Sequence, residues 1–340
     1  MKNGFITLRK AIPASLLLAG AVGLSANASA SVYAISYNNL NDVLITSEPF
    51  VPPTDFTSFS AVSNAAANLN GDGSSGSDTS GGPVSSPLKE GTGSVYAGAG
   101  PTDDGFTAQS LGGNYSYADS QIPTTALLQP VQPGPVIASG DLTQAVGIAE
   151  GYIDSSGNGD SDTRNSSETG FDSTVSVTEG AQFTFDFEAS PYLAVAMSAD
   201  AVGISSNAVI SVVATITNLD TQEVVFRWTP DGTLGTGIIG GTETADGVSL
   251  NTSVEVTSPG MAFYNPLGNA APSGDITGAG ATFAQFTATT DALAAGRYSI
   301  SLDMTESMNL STVRAIPAPG ALALMGLGLM GLGFSRRRRS

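Results

Sequence analysis

The stretch AQFTFDFEA (181–189) sets Phe183, Phe185 and Phe187 against Thr184, Asp186 and Glu188. An apolar–polar period of two is what a β-strand with one buried face requires, and no helix can bury that pattern on one side. The same alternation returns further along. In NAVISVVATITNLDTQEVVFRWTPDG (207–232), Ile210, Val212, Ala214 and Ile216 share one face. An Asn-Leu-Asp turn then leads into a return strand carrying Val224, Phe226 and Trp228 on one face, closed by Pro-Asp-Gly. ATFAQFTATT (281–290) follows, and GRYSISLDMT (296–305) alternates Tyr298, Ile300, Leu302 and Met304 with polar residues. Short strands separated by turn signals predict a mainly β protein, an antiparallel β-sandwich over 135–314.

The region before it reads differently. SVYAISYNNLNDVLI, from Ser31, reads as two short strand-like runs around an Asn-rich turn. Residues 47–134 are rich in Gly, Ser, Pro and Asp, and 68–87 approaches low complexity, the composition of a flexible loop. The expectation for 31–134 is a loop-rich, partly β N-terminal portion.

The chain has neither His nor Cys. This excludes Ser-His-Asp and Cys-His nucleophile systems, and zinc sites built on imidazole or thiolate. With no disulfides, stability must come from burial and hydrogen bonding. A Ser-Lys dyad would need Lys89, which stands in a polar stretch. A glycosidase needs only two carboxylates, but Asp186 and Glu188, two apart on one strand and followed by a Ser-Pro turn, read as a solvated face. The chain is therefore not expected to be an enzyme.

Calcium is the one cofactor for which the sequence offers a motif. DSSGNGDSD places Asp154, Ser156, Asn158, Asp160 and Asp162 at alternate positions, with Gly159 sixth as in an EF-hand-like loop. Asn68, Asn70 and Asp72 with Gly73 repeat the spacing more weakly. Both runs lack a Glu at loop position 12, so they would bind only with help from other ligands.

Both ends read as addresses. Lys2, Arg9 and Lys10, an apolar run around 12–24 and then Ala28-Ser29-Ala30 have the layout of a secretory signal peptide over 1–30, cleaved by signal peptidase after Ala30. At the C-terminus, a 14-residue run of apolar residues and Gly (Ala321 to Phe334) precedes Arg336, Arg337, Arg338 and Arg339. As a short apolar helix the run spans about 21 Å, less than the roughly 30 Å of a bilayer core. With arginines held on the cytoplasmic side, it suits transient anchoring in the inner membrane. Between the two ends stand all 30 acidic residues against five basic ones, Lys89, Arg164, Arg227, Arg297 and Arg314, a net charge of −25. A body so acidic repels nucleic acid and anionic membranes.

Pro317-Ala318-Pro319, the short Gly/Leu/Ala-rich span and the arginine cluster together resemble the PEP-CTERM sorting signal, here over 315–340. The resemblance implies an exported protein of a Gram-negative, exopolysaccharide-making bacterium, processed by an exosortase for release or attachment at the cell surface. Ala318 stands where that family most often has Glu. The Leu-x-x-Gly-x-Tyr run at 293–298 is similar to the last strand of sandwich domains in such proteins. The function so implied is a structural or adhesive role in exopolysaccharide or biofilm, with exopolysaccharide itself as a partner. The alternatives are a carbohydrate-binding module and, further off, a carboxylate-only glycosidase.

Processing at both ends is directly measurable. Mass spectrometry of the protein from the outer surface of its native cells should find Ser31 as the first residue and no Arg336–Arg339. Recovery of an intact Arg339 would refute exosortase processing.

Overall fold

Alternating sequences of this kind can bury their apolar faces only against one another, and the structure does so with two antiparallel sheets. The computed structural model describes residues 31–49, 51, 55–69, 72–80, 84–85, 88–91, 114–122, 143–154, 161–177, 180–199, 201–272 and 280–313. Its strands are numbered in chain order. The larger sheet holds β1 (Ser31–Glu48), β4 (Val84–Ser85), β5 (Leu88–Gly91), β6 (Tyr115–Ile122), β7 (Thr143–Asp154), β9 (Gln182–Ala189), β10 (Tyr192–Met197), β14 (Gly241–Asp246), β16 (Gly260–Tyr264) and β17 (Ala284–Thr290). The smaller holds β2 (Phe56–Leu69), β3 (Asp72–Ser80), β8 (Ser161–Val177), β11 (Val202–Asn218), β12 (Glu223–Trp228), β13 (Ile238–Ile239), β15 (Thr252–Val256) and β18 (Gly296–Val313). No helix occurs among the described residues. The expected C-terminal apolar helix lies outside them.

Strands from 31–134 and from 135–314 share both sheets. β1 runs down the middle of the larger sheet, with β7 on one side and β9 and β10 on the other. The expected Asn-rich turn inside it is a bulge instead. Pairing slips by one residue between Leu40 and Val43, and Asp42 takes a positive φ of 52°. Asp tolerates that conformation, so the strand bends and continues rather than reversing. The Ser-Pro turn after Glu188 is likewise absent. Leu40 pairs with Ala189 and Tyr37 with Tyr192, one register on both sides of Ser190–Pro191, and the Ser190 amide donates to the Asn39 carbonyl at 3.0 Å. β9 and β10 are thus collinear, and on their far side β17 and β16 follow end to end.

The Gly/Ser-rich run expected as a flexible loop contains β3, paired with β2 from Leu69↔Asp72 to Ala61↔Ser80. The two residues between Leu69 and Asp72 are Asn70 and Gly71, the dipeptide best suited to a two-residue hairpin. Of the weaker calcium candidates, Asn68, Asp72 and Gly73 pair in that ladder, and Asn70 lies outside the described residues. The Asn-Leu-Asp turn stands where the alternation places it: Asn218 Oδ1 accepts from the amides of Asp220 and Thr221 at 2.9 and 3.1 Å. At the Pro-Asp-Gly turn the amides of Asp231, Gly232 and Thr233 all donate to Asp246 Oδ2, at 3.1, 2.8 and 3.1 Å. Gly232 has φ +84°, and a Cβ there would meet the Ser249 amide at 2.8 Å.

The two inner faces share one core, and its composition changes along its length. At one end Phe185 stacks on Phe226 (centroids 5.4 Å apart, planes at 2°), while Phe187 lies against Trp228 and Phe286 at 5.5 and 5.2 Å. At the other end the larger sheet contributes Ala34, Ser36, Ser116, Ala118, Ser120, Ala145 and Ala149. There, Cα atoms of β6 and β7 come within 8 Å of those of β2 and β8 opposite, nearer than the usual spacing of about 10 Å between stacked sheets. Ser63 Oγ donates to the Ser120 carbonyl at 2.6 Å, Ser36 Oγ to that of Val209 at 2.6 Å, and Ser206 Oγ to that of Tyr33 at 3.0 Å, each across the gap.

Phe183, Phe185, Phe187, Ile210, Val212, Ile216, Phe226, Trp228, Tyr298, Ile300 and Leu302, all expected in the core, are buried, whereas Val224, expected with them, is 48% exposed. Pairing shifts between Ile216 and Thr217, so Val224 sits opposite Thr217 at the hairpin end rather than in line with Phe226.

Two substitutions separate the two kinds of core. A Cβ on Gly151 would press on Met308 and Leu310, so Gly151→Val should cost about 1–3 kcal/mol by overpacking. Trp228→Ala should cost about 3–5 kcal/mol by leaving a cavity. Urea unfolding of the mature protein measures both.

Candidate functional site: the tyrosine face of the larger sheet

Because strand side chains alternate, the larger sheet has a second face pointing away from the smaller sheet. Six of the nine tyrosines in the chain lie on it: Tyr33, Tyr37, Tyr115, Tyr117, Tyr152 and Tyr192. Register arranges them in rows across β10, β1, β7 and β6. One row reads Ala196, Tyr33, Tyr152, Tyr115; the next Ala194, Ile35, Glu150, Tyr117; the third Tyr192, Tyr37, Ile148, Asp119. Tyr33 and Tyr152 are half-buried, and the remaining side chains of the last two rows are buried. Tyr115 and Tyr152 stack with centroids 6.3 Å apart and planes at 19°.

Two carboxylates sit inside this aromatic field, Glu150 and Asp119, each 0% exposed. A buried carboxylate is tolerated only when donors replace its water. Tyr33 and Tyr115 both donate to Glu150 Oε1, at 2.8 and 3.0 Å, and Tyr117 donates to Asp119 Oδ2 at 3.0 Å. Such charge-assisted bonds are the strong ones. Burial first, then the neighbouring charge, raises the phenols of Tyr33, Tyr117 and Tyr192 above the ordinary tyrosine range: Glu150 acts on Tyr33 and Tyr192, and Asp119 on Tyr117. They remain protonated donors at neutral pH.

Chemically, the arrangement holds aromatic surface in fixed positions. Glu150 Oε1 already accepts two phenol hydrogen bonds, which leaves that oxygen poorly placed as a general base. On the same outer face Asp186 and Glu188 are half-buried rather than fully solvated, and burial raises the Asp186 carboxyl above its ordinary range while a Gln285 hydrogen bond opposes the shift. Beyond Ala194 and Ala196 the face continues to β16, where Phe263 and Met261 are 58% and 52% exposed.

Neither the tyrosines of this face nor Glu150 and Asp119 are singled out by sequence alone. Tyr33, Tyr115 and Tyr152 are far apart in the chain and meet only through strand pairing. The one local cue is the alternation of Tyr115 and Tyr117 in NYSYAD. Of the calcium candidates, Asp154 ends β7 opposite Ser31 and Asp162 lies in β8 opposite Ser311. Ser156, Asn158 and Asp160 lie outside the described residues. Among the described residues no three Asp or Glu gather as a metal site, and no helix is long and apolar enough to cross a membrane. Ala28, Ala30, Pro317, Ala318, Pro319 and Arg336–Arg339 also fall outside the described residues.

Comparison with known proteins bears on the C-terminus. Residues 315–339 match the PEP-CTERM protein-sorting motif. The match supports export and exosortase sorting, with the cell surface as destination. No curated protein matches the chain in sequence. Among solved structures, the infectious bursal disease virus VP2 subviral particle aligns over 91% of this chain and 74% of that one, at 10% identity and a TM-score of 0.10. That level carries no argument about fold or role.

The raised phenols fix the alkaline behaviour. An unfolded tyrosine ionises near 10.0, and Tyr33, Tyr117 and Tyr192 ionise higher in the fold. Their contribution to stability is complete below that pH and is lost as pH rises through the folded values. Tyrosinate absorbance should therefore rise in two phases, the second coinciding with loss of the fold. A single phase near pH 10, with the fold intact, would contradict the buried hydrogen-bonded arrangement.

Proposed function

We propose that this chain is a structural component of the cell surface or extracellular matrix, exported and sorted by an exosortase, with an adhesive role toward exopolysaccharide. The observation that carries this reading is the join between body and address. The last described strand, β18, ends at Val313, and the sorting motif begins at residue 315. A sheet-forming strand thus leads almost directly into the sorted segment, so whatever receives that segment holds the whole two-layer body. The apolar span after Pro319 keeps the chain at the inner membrane until processing. The reading includes no catalytic step.

A second reading, a carbohydrate-binding module, is favoured by one observation. Half-buried Tyr33 and Tyr152 and exposed Phe263 border the same outer face, and aromatic rings are what sugar C–H groups stack on. Glycan-array binding by the mature protein separates the two.

Cells lacking the gene, complemented with the full chain or with a chain ending at Arg314, provide the test. The full chain should appear in the surface or matrix fraction and restore cohesion of the exopolysaccharide layer, whereas the shortened chain should be shed into the medium and restore nothing. Equal cohesion without the protein would remove the structural role.

A further inference from the structure

An unpaired sheet edge presents a row of N–H and C=O groups to any other chain, and proteins guard such edges with charge. Among the described strands, five of four residues or more lie at an edge: β3, β5, β14, β15 and β16. Four of them carry acidic residues: Asp72 and Asp78 in β3, Glu90 in β5, Glu243 and Asp246 in β14, and Glu255 in β15. In β14 these carboxylates are bound inward, Asp246 by the amides of Asp231, Gly232 and Thr233 and Glu243 by the Trp228 indole and the Gly235 amide, whereas on β3, β5 and β15 a body of net charge −25 would repel the same edge of a second copy. β16 reads Gly-Met-Ala-Phe-Tyr, with no charge at all, and pairs only with β10 among the described strands. Its two most exposed side chains, Met261 and Phe263, are large and apolar.

We propose that β16 is a self-association edge, pairing antiparallel with β16 of a second copy of this chain and carrying the larger sheet across both molecules. The strand is self-complementary. With Ala262 opposite its own counterpart, Met261 faces Phe263 of the partner subunit on one side of the sheet, and the reciprocal contact follows from the two-fold axis. The strand is also held ready. Ala262 and Tyr264 pack against the core, and the Tyr264 hydroxyl donates to the Ser249 carbonyl at 2.9 Å. A partner bearing an acidic edge gains nothing from this surface, whereas a second copy brings the one uncharged edge of four residues or more among the described strands. Five residues a side make a small interface, so association is weak and depends on concentration. Because the contact is isologous it closes as a pair and does not grow into a fibre.

The test is sedimentation of the mature protein over a wide concentration range, at low and high salt. A monomer–dimer equilibrium is expected, strengthened by salt as repulsion between the acidic bodies is screened. Met261→Glu with Phe263→Glu should weaken it about tenfold or more, with the melting temperature unchanged because both side chains are exposed. Hydrogen exchange of the unmodified protein should show residues 260–264 gaining protection on concentration, and this result decides the matter if the double variant melts early. A protein monomeric throughout, dimers unaffected by the double substitution, or protection arising elsewhere would each overturn the proposal. A monomer that binds a glycan through Phe263 would overturn it in favour of the carbohydrate reading.

Discussion

Serine hydroxyls reach from one sheet to the backbone of the other because the larger sheet presents small residues there, Ala34 and Ser36 in β1, Ser116, Ala118 and Ser120 in β6, and Ala145, Ala149 and Gly151 in β7. Ser36, Ser63 and Ser206 bond to the carbonyls of Val209, Ser120 and Tyr33. A serine buried without a partner costs free energy, and here close approach supplies the partner. Had these positions been Val or Leu, the sheets would stand at the usual separation and the hydroxyls could not span the gap. The aromatic end, with Phe185 on Phe226 and Phe187 against Trp228, works by the opposite means, filling a wider space with large rings. One pair of sheets thus accommodates two core thicknesses, and Gly151 beneath Met308 belongs to the thin end.

Legibility in the sequence follows how many faces of a strand are buried. Phe183, Phe185, Phe187, Ile210, Phe226, Trp228 and Ile300 lie in strands with one wet face, so alternation announces them. β1 has both faces buried over much of its length, so SVYAISYNNL shows no clean period, and its Asn residues imitate a turn. β3 carries almost no apolar residue, because an edge strand of Gly, Ser and Asp is held by its ladder to β2 rather than by side-chain burial. Val224 shows the limit of the method from the other side. Its position fits the alternation, and a single register slip undoes it.

The tyrosine face was hidden for a related reason. Its residues come from four strands drawn from across 31–197, and none of those segments has the alternation that would mark an outward face as special. What unites them is the demand of Glu150 and Asp119 for donors once water is excluded. The phenol hydroxyls meet that demand while their rings supply apolar surface, which neither Phe nor Ser could do alone. The sorting motif, by contrast, is legible because an address is read as a linear segment and needs no fold to be recognised.

The placement of β18 has a mechanical consequence. This strand is laddered to β11 on one side and to β8 on the other over nearly its whole length, and it leads toward the sorted terminus. A load applied through that terminus pulls the strand lengthwise between two neighbours, so its hydrogen bonds bear the force together instead of opening one after another. A terminal strand at a sheet edge would peel. Forced unfolding is governed by the rate of crossing the unfolding barrier, and shear against two ladders raises that barrier for any load that enters through this strand.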